Sequence, residues 1–202
     1  MKFSSALAVM PALLSLGYTL EAPIPGYGIW EPEWSIEAHP GRTIQARGTI
    51  QEVRDELLRI NPDWDEHYIK PVLERSVEST SEFSKRTDFF NDGWLKCGVW
   101  PSADVADVKS GIQYLRGVSG NPQNGPGPGN CGRVSCGYNA AIWWCNDTDD
   151  TKTLESFGSV ADGAQAVLES CSKDGELHWN NKVSGQAFHD TKWNVIVRGE
   201  SC

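Results

Sequence analysis

The chain is short of positive charge: 18 Lys and Arg are outnumbered by 27 Asp and Glu, a net charge of −9. That balance excludes nucleic acid or an anionic membrane as the main partner, because either calls for a basic face. Long apolar runs are also missing. Residues 6–16 form the strongest one, and it falls short of the roughly 20 residues that a bilayer-spanning helix requires. No serine sits in a Gly-x-Ser-x-Gly elbow, and the glycine-proline stretch lacks the Lys-Ser/Thr end of a phosphate loop. Cysteine is absent before Cys97, and the run Cys-x4-Cys-x8-Cys from Cys131 to Cys145 has neither a CxxC pair nor a nearby His, which argues against zinc. Asp147, Asp149 and Thr151 alternate as calcium ligands do. The glycine and glutamate of a calcium loop would fall on Lys152 and Gly158, so the match fails. No cofactor or metal is implied.

What is present points outward from the cell. Lys2, the apolar run and the small residues before Gly17 have the layout of a secretory signal, expected over residues 1–17. Export to an oxidising compartment makes Cys97, Cys131, Cys136, Cys145, Cys171 and Cys202 a disulfide set, expected as three bridges of about 2–5 kcal/mol each. Six cysteines allow 15 pairings, and spacing does not choose among them. Asn146-Asp-Thr148 is a sequon for N-glycosylation. The expected location is extracellular.

Residues 18–86 read as a pro-like segment. Pro23 to Trp34 is rich in turn formers, Thr43–Arg47 suits a short strand, and Thr49-x-x-Glu52 is a capping box. The helix it opens carries Ile50, Val53, Leu57 and Ile60 on one stripe and closes at Asn61-Pro62. Residues 74–87 are polar and serine-rich, as linkers are, and contain the pair Lys85-Arg86. Secretory proteases of the kexin type cut after such pairs, because carboxylates in their pockets complement both cations. Every cysteine lies beyond the pair, so a cut there predicts a mature protein starting at Thr87.

The expected working domain, residues 87–202, is organised around residues 131–145. Val134, Cys136 and Tyr138 alternate with Arg133, Ser135 and Gly137, Asn139 can turn the chain, and Ala141–Cys145 forms a second strand. Before it come a strand from Leu95, a helix capped by Ser102 with Val105, Val108, Ile112 and Leu115 inward, and a surface loop over residues 117–130. After it come a helix from Ser159, with Val160, Ala164, Val167, Leu168 and Cys171 on one side, and a hairpin joined through His189–Lys192. Helices separated by hairpins favour an α+β fold: an antiparallel sheet with two helices on one face, built on split βαβ units.

Candidate contact residues are Trp143 and Trp144, of which one is expected to be partly exposed because neighbours in a strand face opposite ways. Asn124 and Asn130, in the glycine-proline loop, join them. His178 with Glu176 and His189 with Asp190 are the acid-base pairs open to a small secreted hydrolase.

Several stretches resemble the small secreted cysteine-rich proteins of filamentous fungi, of killer-toxin-like and necrosis-inducing effector type. They are the Pro-Gly-Pro-Gly-Asn-Cys131 entry, Arg133–Cys136, Ala141–Asp147, Ala161–Ala164 before Cys171 and Trp193–Arg198 before Cys202. The resemblance implies a compact stapled sandwich that acts on host or competing cells by binding a protein or glycan target. Some such toxins block cation channels with exposed basic residues. Residues 87–202 hold nine Lys and Arg against fourteen Asp and Glu, which argues against that action here. The alternatives are a glycan-binding wall module and a small hydrolase.

Overall fold

The computed structural model describes residues 20–71, 87–89, 93–172 and 181–202. In chain order the elements are β1 (Gly28–Ile29), β2 (Glu33–His39), β3 (Arg42–Arg47), α1 (Ile50–Ile60), one π-helical turn (Asp65–Ile69), β4 (Gly93–Cys97), β5 (Ala103–Asp104), α2 (Val105–Gly117), β6 (Gln123–Asn124), β7 (Asn130–Gly137), β8 (Ala140–Asn146), β9 (Lys152–Thr153), α3 (Phe157–Cys171), β10 (Lys182–Val183), β11 (Gly185–His189) and β12 (Trp193–Gly199). The main sheet has six strands in the order β1-β7-β8-β12-β11-β4. All its pairings are antiparallel except β1 with β7.

These pairings make β8 and β11 parallel, with β12 running the other way between them. Helix α3 connects the two, which is a split βαβ unit as expected. Helices α2 and α3 lie together on one face, where Val108, Ile112, Leu115, Val160, Ala164 and Val167 meet Ile142, Trp144, Val195 and Val197. The opposite face carries Cys131, Cys136, Ala141, Trp143, Cys145 and Ile196, covered by Ala22, Ile24, Tyr27 and Trp100. Three disulfides staple the domain: Cys97–Cys171, Cys131–Cys145 and Cys136–Cys202. The first joins the end of β4 to the end of α3, so the inward side of α3 does carry a cysteine to the sheet.

The segment before the linker is not accessory to this core. Strand β1 adds a sixth strand, and Trp34, Ile36, Ile50, Val53, Leu57, Trp64 and Ile69 are buried in the same cluster as the helices. Trp34 stacks on Phe157 at 4.0 Å. Its indole N–H donates to the Gly48 carbonyl (2.8 Å), and that of Trp64 donates to the Glu37 carbonyl (2.9 Å), so neither ring is buried with an unmet donor. The capping box is present in both directions, and α1 ends at Asn61, whose side-chain amide donates to Ala38. The expected signal, residues 1–17, and the pair Lys85-Arg86 lie outside the described residues.

Helix starts differ from expectation for reasons of tertiary contact. Asp104, not Ser102, is the cap residue of α2; its side chain makes no capping bond and pairs with Lys182 at 2.7 Å instead. Helix α3 begins two residues early, at Phe157, because that ring is buried under Trp34. The alternation in β7 is also interrupted. A bulge between Arg133 and Ser135 puts Val134 in the helix-side core while Cys136 joins the opposite one.

Candidate functional site

Strands β7 and β8 are joined by Tyr138 and Asn139, both left-handed at φ 51° and 64°. Two consecutive positive φ values are those of a tight hairpin turn whose twist matches the strands. Asn tolerates this conformation, whereas a bulky residue there is an outlier. Tyr138 is nevertheless 86% exposed, so its ring gains no packing in return. The expected place for Tyr138, in register on the strand, is therefore corrected: it is the turn itself.

A cleft of about 370 Å³ opens beside the turn, lined by residues that include Ser102, Asp104, Tyr138, Asn139, Lys182 and Glu200. Its walls are held from three directions. The Glu200 N–H donates to the Asn139 carbonyl (3.1 Å), the Gly199 N–H donates to the Pro101 carbonyl (2.6 Å), and Cys202 is bonded to Cys136. The charges inside are largely paired. Asp104 meets Lys182, and the Glu200 carboxylate takes Arg133 (3.0 Å), Arg198 (3.3 Å) and the Trp143 indole N–H (2.9 Å). Among the described lining residues there is neither a histidine nor a cysteine.

Of the four residues expected to make contacts, Trp143, Trp144 and Asn124 face inward and Asn130 is half-buried. Trp143 and Trp144 do point to opposite faces, but both are fully buried, because the helix-free side is itself covered. Asn124 is fully buried as well, its amide donating to the carbonyls of Asn130 (3.2 Å) and Trp144 (3.1 Å). The backbone carbonyl of Asn124 accepts from Asn146 at 2.8 Å, while the Asn130 amide turns back onto Pro126. Asn124, Asn130 and Asn146 thus bind the glycine-proline loop to the sheet. The sequon asparagine belongs to the same network: the Asn146 amide nitrogen is buried and donates to Asn124 and Asp150, and its oxygen accepts from Thr148.

The loop and the hairpin turn also stand at opposite ends of β7, roughly 23 Å apart at the rise of a strand, so they do not form one patch. Asp147 is likewise occupied, accepting from the Tyr27 hydroxyl (2.8 Å) and the Asn194 amide (2.8 Å). Among the described residues no three acidic, His or Cys side chains converge on a metal position. His178 lies outside the described residues. His189 accepts the Thr191 N–H on Nδ1 (3.2 Å), lies 2.8 Å from Asp190 and stacks on Trp193, so it closes the β11–β12 turn.

One surface went unnoticed in the sequence. Trp94 on β4 and Phe188 on β11 are a cross-strand pair stacked at 3.8 Å and 6° between planes, with the Lys96 ammonium 5.0 Å from the Trp94 ring. Trp94 is half exposed. The signal is the alternation of Trp94 and Lys96 about Leu95, and the strand starts at Gly93, two residues before the expected Leu95.

Fold and surface together define a disulfide-stapled α+β protein with a cleft at one end of the sheet. No protein-family model matches the chain, and no curated protein and no solved structure is significantly similar to it.

Proposed function

We propose that the chain is a secreted binding protein of effector or killer-toxin-like type. It engages a target on a host or competing cell through Tyr138 and the cleft beside it, without a reaction of its own. One observation carries this reading: the most exposed large hydrophobic side chain among the described residues is held in a conformation that disfavours it, on the rim of a cleft tied down by a disulfide. Backbone outliers of this kind cost about 1–3 kcal/mol each and cluster at functional positions. Three disulfides agree with an oxidising location. The test is binding of the labelled protein to intact host and competing cells. Tyr138→Ala should lose binding with its fold retained, and undiminished binding would overturn the proposal.

The Trp94–Phe188 pair favours a second reading, a glycan-binding wall module, since flat aromatic faces stack on sugar rings. Retention on insoluble chitin or glucan that is lost in Trp94→Ala and kept in Tyr138→Ala would select it over the first.

A further inference from the structure

We propose that hydrolysis of the Arg86–Thr87 bond does not release the preceding segment. It produces a noncovalent two-chain protein, with the new Thr87 amino terminus seated on Asp162. This inference goes beyond the target-binding reading and does not depend on it.

Two sets of contacts support it. First, the three disulfides all lie between Cys97 and Cys202, so nothing covalent would hold residues 20–71 after a cut. Noncovalent contacts are many. Strand β1 pairs with β7, Trp30 packs edge-on against Trp144 at 5.3 Å, Trp34 stacks on Phe157, and Gln51 bonds Ser135 at 2.8 Å. On the other face the Trp100 indole donates to Pro23 (3.2 Å) and the Tyr27 hydroxyl donates to Asp147. Withdrawal of the segment would strip both faces of the sheet and expose Trp144 and Trp143, a far larger loss than one peptide bond imposes.

Second, the residue that would become the new terminus already has a seat. The Thr87 N–H donates to Asp162 Oδ2 at 3.0 Å, and Asp162 Oδ1 meets Arg116 at 3.2 Å. A pocket of about 230 Å³ opens there, lined by Thr87, Asp88, Phe89, Asp162, Gln165, Ala166 and Glu169. Phe89 fixes the approach, buried edge-on against Trp193 at 5.1 Å. Hydrolysis adds one water across the bond, leaving a carboxylate on Arg86 and an ammonium on Thr87. The amide that donated one hydrogen bond becomes a cation with three donors against Asp162, in a pocket that Asp88 and Glu169 also line, and charge-assisted bonds are about twice as strong as neutral ones. The co-reactant is a secretory protease specific for paired basic residues, which Lys85-Arg86 suits.

The experiment treats the full secreted protein with such a protease. A denaturing gel without reductant should resolve two pieces, with the larger beginning at Thr87. Native gel filtration should keep them in one peak. Absence of a cut, a different terminus, or separation under native conditions would each overturn the proposal. Acylation of the Thr87 amine should be slow in the native cut protein and fast in urea; equal rates would overturn the seat on Asp162. Asp162→Asn should increase the drop in Tm caused by cutting, and an unchanged drop would count against the seat in the same way.

Discussion

Gln51 on α1 grips the bulge in β7 from both sides: its amide oxygen accepts the Cys136 N–H (2.9 Å) while its nitrogen donates to Ser135 Oγ (2.8 Å). A bulge leaves a strand group without its ladder partner, and here a side chain from 85 residues earlier supplies one. Gln51→Ala removes both bonds and should lower unfolding stability by about 1–3 kcal/mol, the cost of a stranded buried donor. Gln51→Glu keeps the acceptor for Cys136 and loses the donor to Ser135, so it should fall between. Urea denaturation of the three proteins checks the order.

The Tyr27 hydroxyl is pushed up to about 12, by burial first and then by its hydrogen bond to Asp147 and that carboxylate's charge. A folded pKa above the ordinary value of about 10 means that the folded state favours neutral Tyr27. Its contribution to stability is complete below pH 10 and is lost as pH rises through 12. Asp147→Asn should lower the Tyr27 pKa without restoring the ordinary value, because burial remains. Alkaline titration followed at the tyrosine ring carbons would show it, and an unchanged Tyr27 pKa would contradict this account.

The staples should differ in worth. Cys97–Cys171 closes a sequence separation of 74 and Cys131–Cys145 one of 14. On chain entropy alone these correspond to about 4.5 and about 3 kcal/mol. Paired Cys→Ser replacement should therefore cost more at the first bridge by about 1.5 kcal/mol, measured as the difference in denaturant midpoint at constant m.

Local features were legible in the sequence and distant ones were not. The capping box of α1 involves residues three apart, and the inward stripes of α2 and α3 follow from helical period, so both were readable. The missed cap of α2 depends on Lys182, which is 78 positions away and competes for Asp104. Trp143 and Trp144 alternate as expected, yet their exposure is decided by residues 22–27 folding over one side and by Trp30 and the helices on the other. No strand pattern contains that information. The sequon at Asn146 reads as a surface motif until the glycine-proline loop, joined through Asn124, closes over it. Strand alternation continues through Tyr138 in the sequence, whereas the turn begins one residue earlier and makes it the most exposed large hydrophobic side chain described.

The hairpin turn offers a test in which stability and binding should move in opposite directions. Tight turns with two left-handed residues favour Asn-Gly, whereas this chain has Tyr138-Asn139. A Tyr138→Asn, Asn139→Gly double variant places at each position a residue that adopts the left-handed conformation more readily, and should raise unfolding stability by about 1 kcal/mol. If Tyr138 were retained only to build the turn, that change would be neutral or beneficial for every property. A contact role predicts instead a more stable protein that no longer binds cells, read from a denaturation curve and a binding curve on the same preparation. Tyr138→Phe separates the parts of the contact further: retained binding assigns it to the ring face, and loss assigns it to the hydroxyl.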